Sequence, residues 1–466
     1  MNDYRQNGQS ERFLILLARK EAEGRVDQFK TAHDVFSWME HACAQTIQPG
    51  LERMEWMLNQ LDHPERRLKF IHIAGTNGKG STAAMIASVL KEAGYPTGMF
   101  VSPYVTSWHE RIQFDGQSIE ETSFVRWSNE LKPLIEKMAE DGPGKPTPFE
   151  YWTLVSLCYF AREAFPWFVV WETGMGGRLD STNVVFPLVS VITEIGYDHK
   201  NWLGDTLTEI ASEKAGIVKS GVPVVCGSQK EEAVPVIRNI SRDHRSPFYL
   251  LNKDFLVKDV HQDSDGQNFT FQNVYRELSG LSIPLIGDHQ LQNAGTALMT
   301  LEVLRQAYAT VIEPEHYRNG LRKTFWPGRL EKVSDSPHIL LDGAHNIEGI
   351  NALIQTIKKY HTDCGRIGFL VAVMKDKPVR EMMKPLADAA DFVTTTSLED
   401  HSRSLAAEEL ARILKEINPR LSVESVSGEK KALHVFMEKL AAGDLGVVAG
   451  SLFLVSAVRP MLLDRK

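Results

Sequence analysis

The chain has 466 residues, 43% hydrophobic and 24% charged, an ordinary globular composition that excludes a disordered tail, a collagen-like repeat or a disulfide miniprotein. At about 150 residues per domain the length allows two or three domains, each large enough for its own core. Lys plus Arg total 52 against 60 Asp plus Glu, a net charge of −8, which argues against broad nucleic-acid or anionic-membrane binding but leaves room for a local basic pocket.

The first 30 or so residues are polar, carry charges of both signs and read as a loosely attached helix or arm. Their one apolar run, Phe13 to Ala18 between Arg12 and Arg19, is too short for a secretory core. No later stretch approaches the ~20 apolar residues of a membrane helix. From residue 70 the pattern alternates: strand 70–74, helix 81–93, strand 98–101, then strands at 167–171, 188–192 and 222–225 separated by helices at 149–164 and 207–218. Such alternation implies a mostly parallel sheet with helices on both faces. Between 257 and 286 the texture changes. Phe269-Thr270-Phe271 and the run 281–286 read as short antiparallel strands, followed by a long helix over 289–308. A Trp326-Pro327-Gly328 break precedes a second alternating region, with strands at 338–341, 367–373, 392–396, 421–426 and 445–449 and helices such as 350–360 and 406–417. The expected division is an N-terminal extension 1–30, a first domain 31–325 and a smaller second domain 326–466. Cys43, Cys158, Cys226 and Cys364 are far apart with no C-x-x-C pair, so neither a zinc site nor a disulfide framework is expected, and a reducing cytoplasm is the expected address.

The sharpest motif is Gly75-Thr76-Asn77-Gly78-Lys79-Gly80-Ser81-Thr82, between a strand and a helix. Glycines let the backbone curl so that its N–H groups point at phosphate oxygens. The helix N-terminus adds a favourable partial charge, and Lys79 adds a point charge for terminal phosphates. Ser81 or Thr82 could position a phosphate or a Mg²⁺-bound water. The spacing departs from G-x-x-x-x-G-K-[ST], because Gly80 separates the lysine from the hydroxyl. A purely structural glycine turn would look similar but would not need the lysine in this context.

The string from His72 to Ser81 resembles the nucleotide loop of the folylpolyglutamate synthase and dihydrofolate synthase family, relatives of the Mur peptidoglycan ligases, in which the extra glycine is typical. Further blocks resemble the same family in the same order: Ser102-Pro103-Tyr104 with Glu110-Arg111-Ile112, Thr147-Pro148-Phe149-Glu150, Gly176 to Asn183, Ile195 to His199, Glu213 to Ile217, His289-Gln290 with Asn293-Ala294, Pro327 to Glu331 and Asp342 to Asn346. The resemblance runs from about residue 31 to the end of the chain. It implies an α/β fold: a P-loop-containing, Mur-ligase-like central domain with a mostly parallel sheet, plus a smaller Rossmann-like C-terminal α/β domain.

The resemblance also implies roles. Gly75, Thr76, Asn77, Gly78, Lys79, Gly80 and Ser81 would hold ATP, with Asn293 on adenine, Arg329 on phosphate and Asp342 as a ligand from the second domain. Ser102, Glu150 and His199 would bind Mg²⁺. Lys214 matches a lysine that carries CO₂ as a carbamate near a second Mg²⁺. His345 would orient the incoming amino acid, so Lys79, Lys214 and His345 make up the expected catalytic set. Arg111, Gly177, Arg178, Asp180 and Asn183 would bind the pterin-bearing substrate. Read alone, each residue has a plainer alternative: Glu150 as a first-turn charge, His199 as a surface histidine, Lys214 as a solvated helix lysine, Asn293 as a packing amide, Arg329 as a salt bridge and Asp342 as a strand-end cap.

The implied reaction is ATP-dependent amide formation between L-glutamate and a reduced folate or dihydropteroate, through an acyl phosphate, by a cytoplasmic monomer with no nucleic-acid or membrane partner. A Mur-type ligase acting on a sugar-nucleotide peptide stays open, as do a regulatory P-loop NTPase and a small-carboxylate kinase. Gly80 and the Ser102 and Gly176 blocks disfavour the first; a switch would not need the Asp342 block; a kinase product would contain no amide.

Overall fold

A computed structural model describes residues 28–263, 266–360, 364–399 and 401–464; the expected N-terminal arm falls almost entirely in residues 1–27, outside this set. Strands β1 (Phe70–Ala74), β2 (Thr97–Phe100), β3 (Ile112–Phe114), β4 (Gln117–Ser118), β5 (Phe168–Glu172), β6 (Val189–Ile192), β7 (Val224–Cys226) and β8 (Phe248–Leu250) form one sheet in the order β4-β3-β2-β5-β1-β6-β7-β8. The six strands from β2 to β8 in that order are parallel, and β3 and β4 add an antiparallel edge.

Both faces of this sheet are covered. Phe70, Phe100, Val169 and Trp171 pack on a layer that includes helices Ala32–Ala42, Glu121–Asp141 and Pro148–Tyr159. Their strand neighbours Ile71, Met99 and Val170 turn to the opposite side, against helices Lys79–Glu92 and Asp288–Tyr308. A sheet buried on both faces needs continuous apolar strands rather than alternating ones, which is why Phe70–Ala74 is buried at every position. The expected change of texture is an antiparallel sheet of β9 (Phe255–Asp263), β10 (Gly266–Asn273) and β11 (Glu277–Ile283), packed under the same long helix.

The second α/β unit contains β12 (Glu331–Asp335), β13 (His338–Leu341), β14 (Ile367–Val371), β15 (Phe392–Thr395), β16 (Ser422–Ser425) and β17 (Leu445–Ala449), in the order β12-β13-β17-β14-β15-β16. All its pairings are parallel except β12 with β13. None of the four cysteines is in a disulfide. Among the described residues no helix is long and apolar enough to cross a membrane.

Three differences from the sequence expectation have local causes. The helix expected over 149–164 is an α-helix, Pro148–Tyr159, continued by a π-turn Phe160–Ala164 that ends where Phe165 adopts a left-handed conformation. The strand expected over 281–286 begins earlier, at Glu277, because Leu278, Leu281 and Ile283 supply its buried face. Helix Glu121–Asp141 and edge strand β12 were not expected: the first contains Pro133 and Ser and Thr near its start, and the second buries only Val333.

The phosphate loop is fixed by close packing from three directions. Gly78 caps the Lys79–Glu92 helix at φ 87°, and a side chain there would meet Asn293 Oδ1 at 2.2 Å. A Cβ on Gly80 would lie 2.6 Å from the Trp326 ring, so the extra glycine is the seat for an indole from the segment joining the two sheets. Gly75 lies equally tight on Thr193, at the end of β6. Gly80→Ala is expected to destabilise the protein by about 1–3 kcal/mol in chemical denaturation through overpacking. Combining it with Trp326→Ala should cost less than the sum of the single changes, because the two residues touch.

Candidate active site

The carboxyl ends of β1, β5 and β6 turn into loops on one edge of the first sheet, where ligand crevices of open α/β sheets form. Across from them, β13 runs into Asp342 to Asn346. The result is a cleft of about 250 Å³ lined by the whole loop Gly75 to Ser81, by Ser102, Glu172, Asp198, His199, Lys214 and Asn293, and, from the second unit, by Arg329, Asp342, His345 and Glu348. Asn346 Nδ2 donates to Asn77 Oδ1 at 3.0 Å, joining the phosphate loop to the second unit. Arg459 makes a second bridge, donating to Thr106 Oγ1 at 2.9 Å while forking onto Glu331.

Inside the cleft, charge is buried on purpose-built supports. Lys79 Nζ curls back to donate to the Gly75 carbonyl at 3.1 Å and lies 3.8 Å from Glu172 Oε1. The other Glu172 oxygen accepts the Ser102 N–H at 3.2 Å. Burial pushes the Glu172 carboxyl up to about 7 despite Lys79. Lys214, 4% exposed, donates to the Gly75 carbonyl at 2.8 Å. Burial, with Lys79 next in weight, pushes its ammonium down to about 7, so an uncharged amine is accessible near neutrality. His345 Nδ1 lies 2.7 Å from the Gly343 carbonyl, and the surrounding protein lowers its ring to about 4, leaving a neutral imidazole.

Asp198 is one of the points where the two units meet. Its Oδ1 accepts from the His199 N–H at 2.8 Å and from Lys377 Nζ at 2.6 Å; its Oδ2 lies 3.7 Å from His345 Nε2 and 4.0 Å from His199 Nε2. Burial alone would raise this carboxyl, but His199, Lys377 and His345 outweigh it and hold it well below the usual carboxylate range.

The chain matches the Mur ligase middle domain over residues 73–301 and the Mur ligase glutamate ligase domain over residues 328–452. It is 38% identical to the dihydrofolate synthase/folylpolyglutamate synthase of Bacillus subtilis (strain 168) over 93% of this chain and 100% of the relative. The chain belongs to the folylpolyglutamate synthase/dihydrofolate synthase family. The folylpolyglutamate synthase of Lacticaseibacillus casei is 34% identical over 89% of this chain and 94% of its own length. Two solved family structures superpose closely. They are the Mycobacterium tuberculosis folylpolyglutamate synthase complexed with ADP (TM-score 0.86, 30% identity, 92% of this chain and 97% of that one) and E. coli FolC in complex with DHPP and ADP (TM-score 0.83, 28% identity, 94% and 98%). The two-domain α/β architecture is therefore that of the synthase family.

Most of the residues expected from sequence line the cleft, but one expected metal ligand does not. Glu150 Oε1 and Oε2 are each 3.0 Å from Arg53 Nε, and Oε2 also accepts the Thr147 N–H at 2.7 Å in a capping box. With its lone pairs committed at the start of its own helix, Glu150 is a structural carboxylate, and the carboxylate beside Lys79 and Ser102 is Glu172. Of the two hydroxyls left open by the sequence, Ser81 lines the cleft and Thr82 does not.

None of the five expected substrate residues lines the cleft. Arg178 forks onto Glu213 at 2.7 Å and is more than half exposed. Gly177 is pressed against the Lys214 carbonyl, which a Cβ would approach to 2.6 Å. Asp180 accepts from the N–H groups of Met175 and Thr182, and Asn183 Nδ2 donates to the Arg178 and Gly216 carbonyls. These residues shape the loop that carries Gly174 and Met175 into the cleft rather than facing it themselves. Arg111 lies outside the cleft, over the Tyr104 and Trp152 rings at 5.2 and 5.6 Å, with its Nε unpartnered.

Glu172, Asp198 and Lys377 were missed by sequence reading. The signal was present for two of them: Glu172 ends a buried strand, and Asp198 precedes the histidine already singled out. Lys377 carried none, lying in an ordinary charged loop. Glu150→Ala is expected to lower the unfolding free energy by about 3–5 kcal/mol, since it strands the buried Arg53 charge, with turnover per folded molecule near that of the wild type. Glu172→Gln should do the reverse, preserving the melting temperature and removing most turnover; comparing the two variants by calorimetry and rate assay checks the assignment.

Proposed function

We propose that the chain ligates L-glutamate to a folate-type carboxylate at the expense of ATP, forming ADP and phosphate through an acyl phosphate. The observation that carries this reading is the position of the phosphate loop, opposite Arg329, Asp342 and His345 across the cleft, in a member of the folylpolyglutamate synthase/dihydrofolate synthase family. A free carboxylate is a poor acyl donor; phosphorylation gives it a leaving group. The substrate carboxylate oxygen takes the γ-phosphoryl group and ADP departs. The amine of glutamate then attacks the activated carbonyl, loses a proton and expels phosphate. The folate-type carboxylate is a reduced folate, a dihydropteroate, or each in turn.

Each part of the chain has a task in this scheme. The backbone amides of Gly78 to Ser81 and the Lys79 ammonium hold the phosphates, and Arg329 offsets charge that develops on the transferred group. Asn293, braced by Gln290 Oε1 at 3.0 Å, faces the base, and Asp342 orders the Leu330 and Ala344 amides beside the nucleotide. His345, neutral at working pH, orients the incoming amine. Arg111, between two aromatic rings and short of a hydrogen-bond partner, is the expected substrate residue that best suits a flat pterin-bearing ligand.

The donor set of the cleft fits Mg²⁺, a hard cation bound by one or two carboxylates with phosphate oxygens and water completing the octahedron. Glu172, Ser102 and His199 would hold it, and it would supply charge neutralisation on the phosphate oxygens. Lys214 suits carbamylation: its neutral amine would add CO₂ and release a proton, giving an anion for a second Mg²⁺. We further read the division of the chain at 325/326, where Trp326 locks onto Gly80, with 1–30 as an N-terminal extension. One chain supplies both walls of the cleft, in keeping with a monomer. Four cysteines outside any disulfide suit a reducing cytoplasm.

ADP release that requires both glutamate and either dihydropteroate or tetrahydrofolate supports the reading; release that needs neither overturns it. Lys79→Ala should lower kcat about a hundred- to thousandfold, the usual loss when a transition-state charge partner is removed. In ¹³C-bicarbonate, an NMR carbamate signal should grow as pH rises through about 7 and be absent in Lys214→Gln; no signal at pH above 8 in the wild type would exclude carbamylation.

A further inference from the structure

The ion pair between Lys377 and Asp198 belongs to neither the phosphate loop nor the expected substrate loops, yet it is the shortest charged contact between the two units in which both side chains are largely shielded from solvent. The side chains are 12% and 11% exposed and 2.6 Å apart. Lys377 comes from the loop after β14. That loop is held in shape by the Lys375 N–H to the Arg403 carbonyl, at 2.9 Å, and by the Lys377 N–H to the Met374 carbonyl, at 3.2 Å. Asp198 sits in the loop after β6, directly before His199, whose φ of 51° is the left-handed conformation that a non-glycine residue adopts only when its surroundings fix it. The Asp198 carboxylate contributes to that fixing, since its Oδ1 accepts the His199 N–H. Through Oδ2 it also faces the rings of His199, from its own unit, and His345, from the opposite one.

Such a pair has a specific cost structure. Separating the units would leave an ammonium and a carboxylate in a partly desolvated wall, each without its partner. The pair therefore favours the closed cleft, and it does so at the edge nearest the two histidines. The bridges Asn77 to Asn346 and Arg459 to Thr106 have uncharged partners on the first unit, and the charged pair Asp288 with Lys359, at 2.8 Å, is more than half exposed on both sides.

We infer that Lys377 is a positioning residue for the ligation. Through Asp198 it latches the second unit over the cleft, aligns His199 with His345, and keeps water from the acyl phosphate until the amine attacks. This rests on the acyl-phosphate reading above. An acyl phosphate reached by water returns the free carboxylate and phosphate, and the ATP is spent with no amide formed. A loosened latch thus shows itself in stoichiometry, as ADP released in excess of amide product, and not merely in a slower rate.

The test measures ADP and amide product together, at saturating ATP, folate substrate and glutamate, in the wild type, Lys377→Met, Lys377→Arg, Asp198→Asn and the Lys377→Met/Asp198→Asn double variant, with ADP affinity measured by calorimetry. In the wild type the ratio of ADP to amide is expected to be one. Lys377→Met and Asp198→Asn should each lower kcat at least tenfold and raise the ratio above one, with ADP affinity changed less than threefold. Lys377→Arg, which keeps the charge, should restore most of the coupling, and the double variant should be no worse than the poorer single one. The inference is overturned if Lys377→Met keeps a one-to-one ratio, or if the two single effects multiply in the double variant. Should Lys377→Met fail to fold, an Asp198→Asn enzyme that folds and stays fully coupled overturns it equally. A wild type that releases no glutamate-dependent ADP would instead refute the functional reading, so the two failures are distinct.

Discussion

Everything in the cleft depends on how the phosphate loop is seated. Its glycines are not there only to let the chain turn: one faces Thr193 of the first sheet, one faces Asn293 of the long helix, and one faces the Trp326 indole from the segment between the sheets. Each approach is closer than a Cβ would tolerate. The loop is thus a junction onto which a strand end, a helix and the inter-unit connection are all packed, and its backbone amides are held in place before any ligand arrives. Preorganisation of this kind is what electrostatic catalysis requires, because donors already aimed need no reorganisation during the reaction.

A second constraint follows from burial. Lys79, Glu172 and Lys214 share a wall of the cleft, and two of them are driven towards neutrality by desolvation, Glu172 upward and Lys214 downward, both to about 7. A rigid loop among such groups is poised to accept the charge of a triphosphate, since an added anion favours the ammonium while an added cation favours the carboxylate. The cleft is consequently basic where it must be, within a chain whose net charge is −8. The second unit contributes opposite charge at a different place, through Lys377 on Asp198, so that closing the cleft and ordering its histidines become one event.

The sequence was informative where chemistry is local and uninformative where it depends on tertiary contacts. The alternating strands of both sheets were readable because buried parallel strands are short and continuously apolar, as Phe70–Ala74 and Leu445–Ala449 are. The phosphate loop was readable because curl, helix start and lysine lie within eight residues. Its extra glycine could be seen but not explained, since Trp326 is 246 positions away. Glu150 looked like a site carboxylate because a glutamate in the first turn of an apolar helix has the same appearance whether it caps that helix or faces a ligand; only Arg53 decides between the two. Arg178, Asp180 and Asn183 looked like substrate contacts for the same reason, as polar side chains around two glycines serve equally to tie down a loop. Lys377 left no trace because its significance lies wholly in Asp198, on the other unit.

We propose that the reacting centre is built on Glu172 and the phosphate loop, with the second unit closing over it. The most direct measurement is a crystal structure with Mn²⁺ and a non-hydrolysable ATP analogue, using the metal's anomalous signal to locate it. The expected result is terminal phosphates against Lys79 and the Gly78 to Ser81 amides, and a metal peak beside Glu172 and Ser102. A metal peak at Glu150, or a triphosphate bound away from the Gly75 to Ser81 loop, would contradict it.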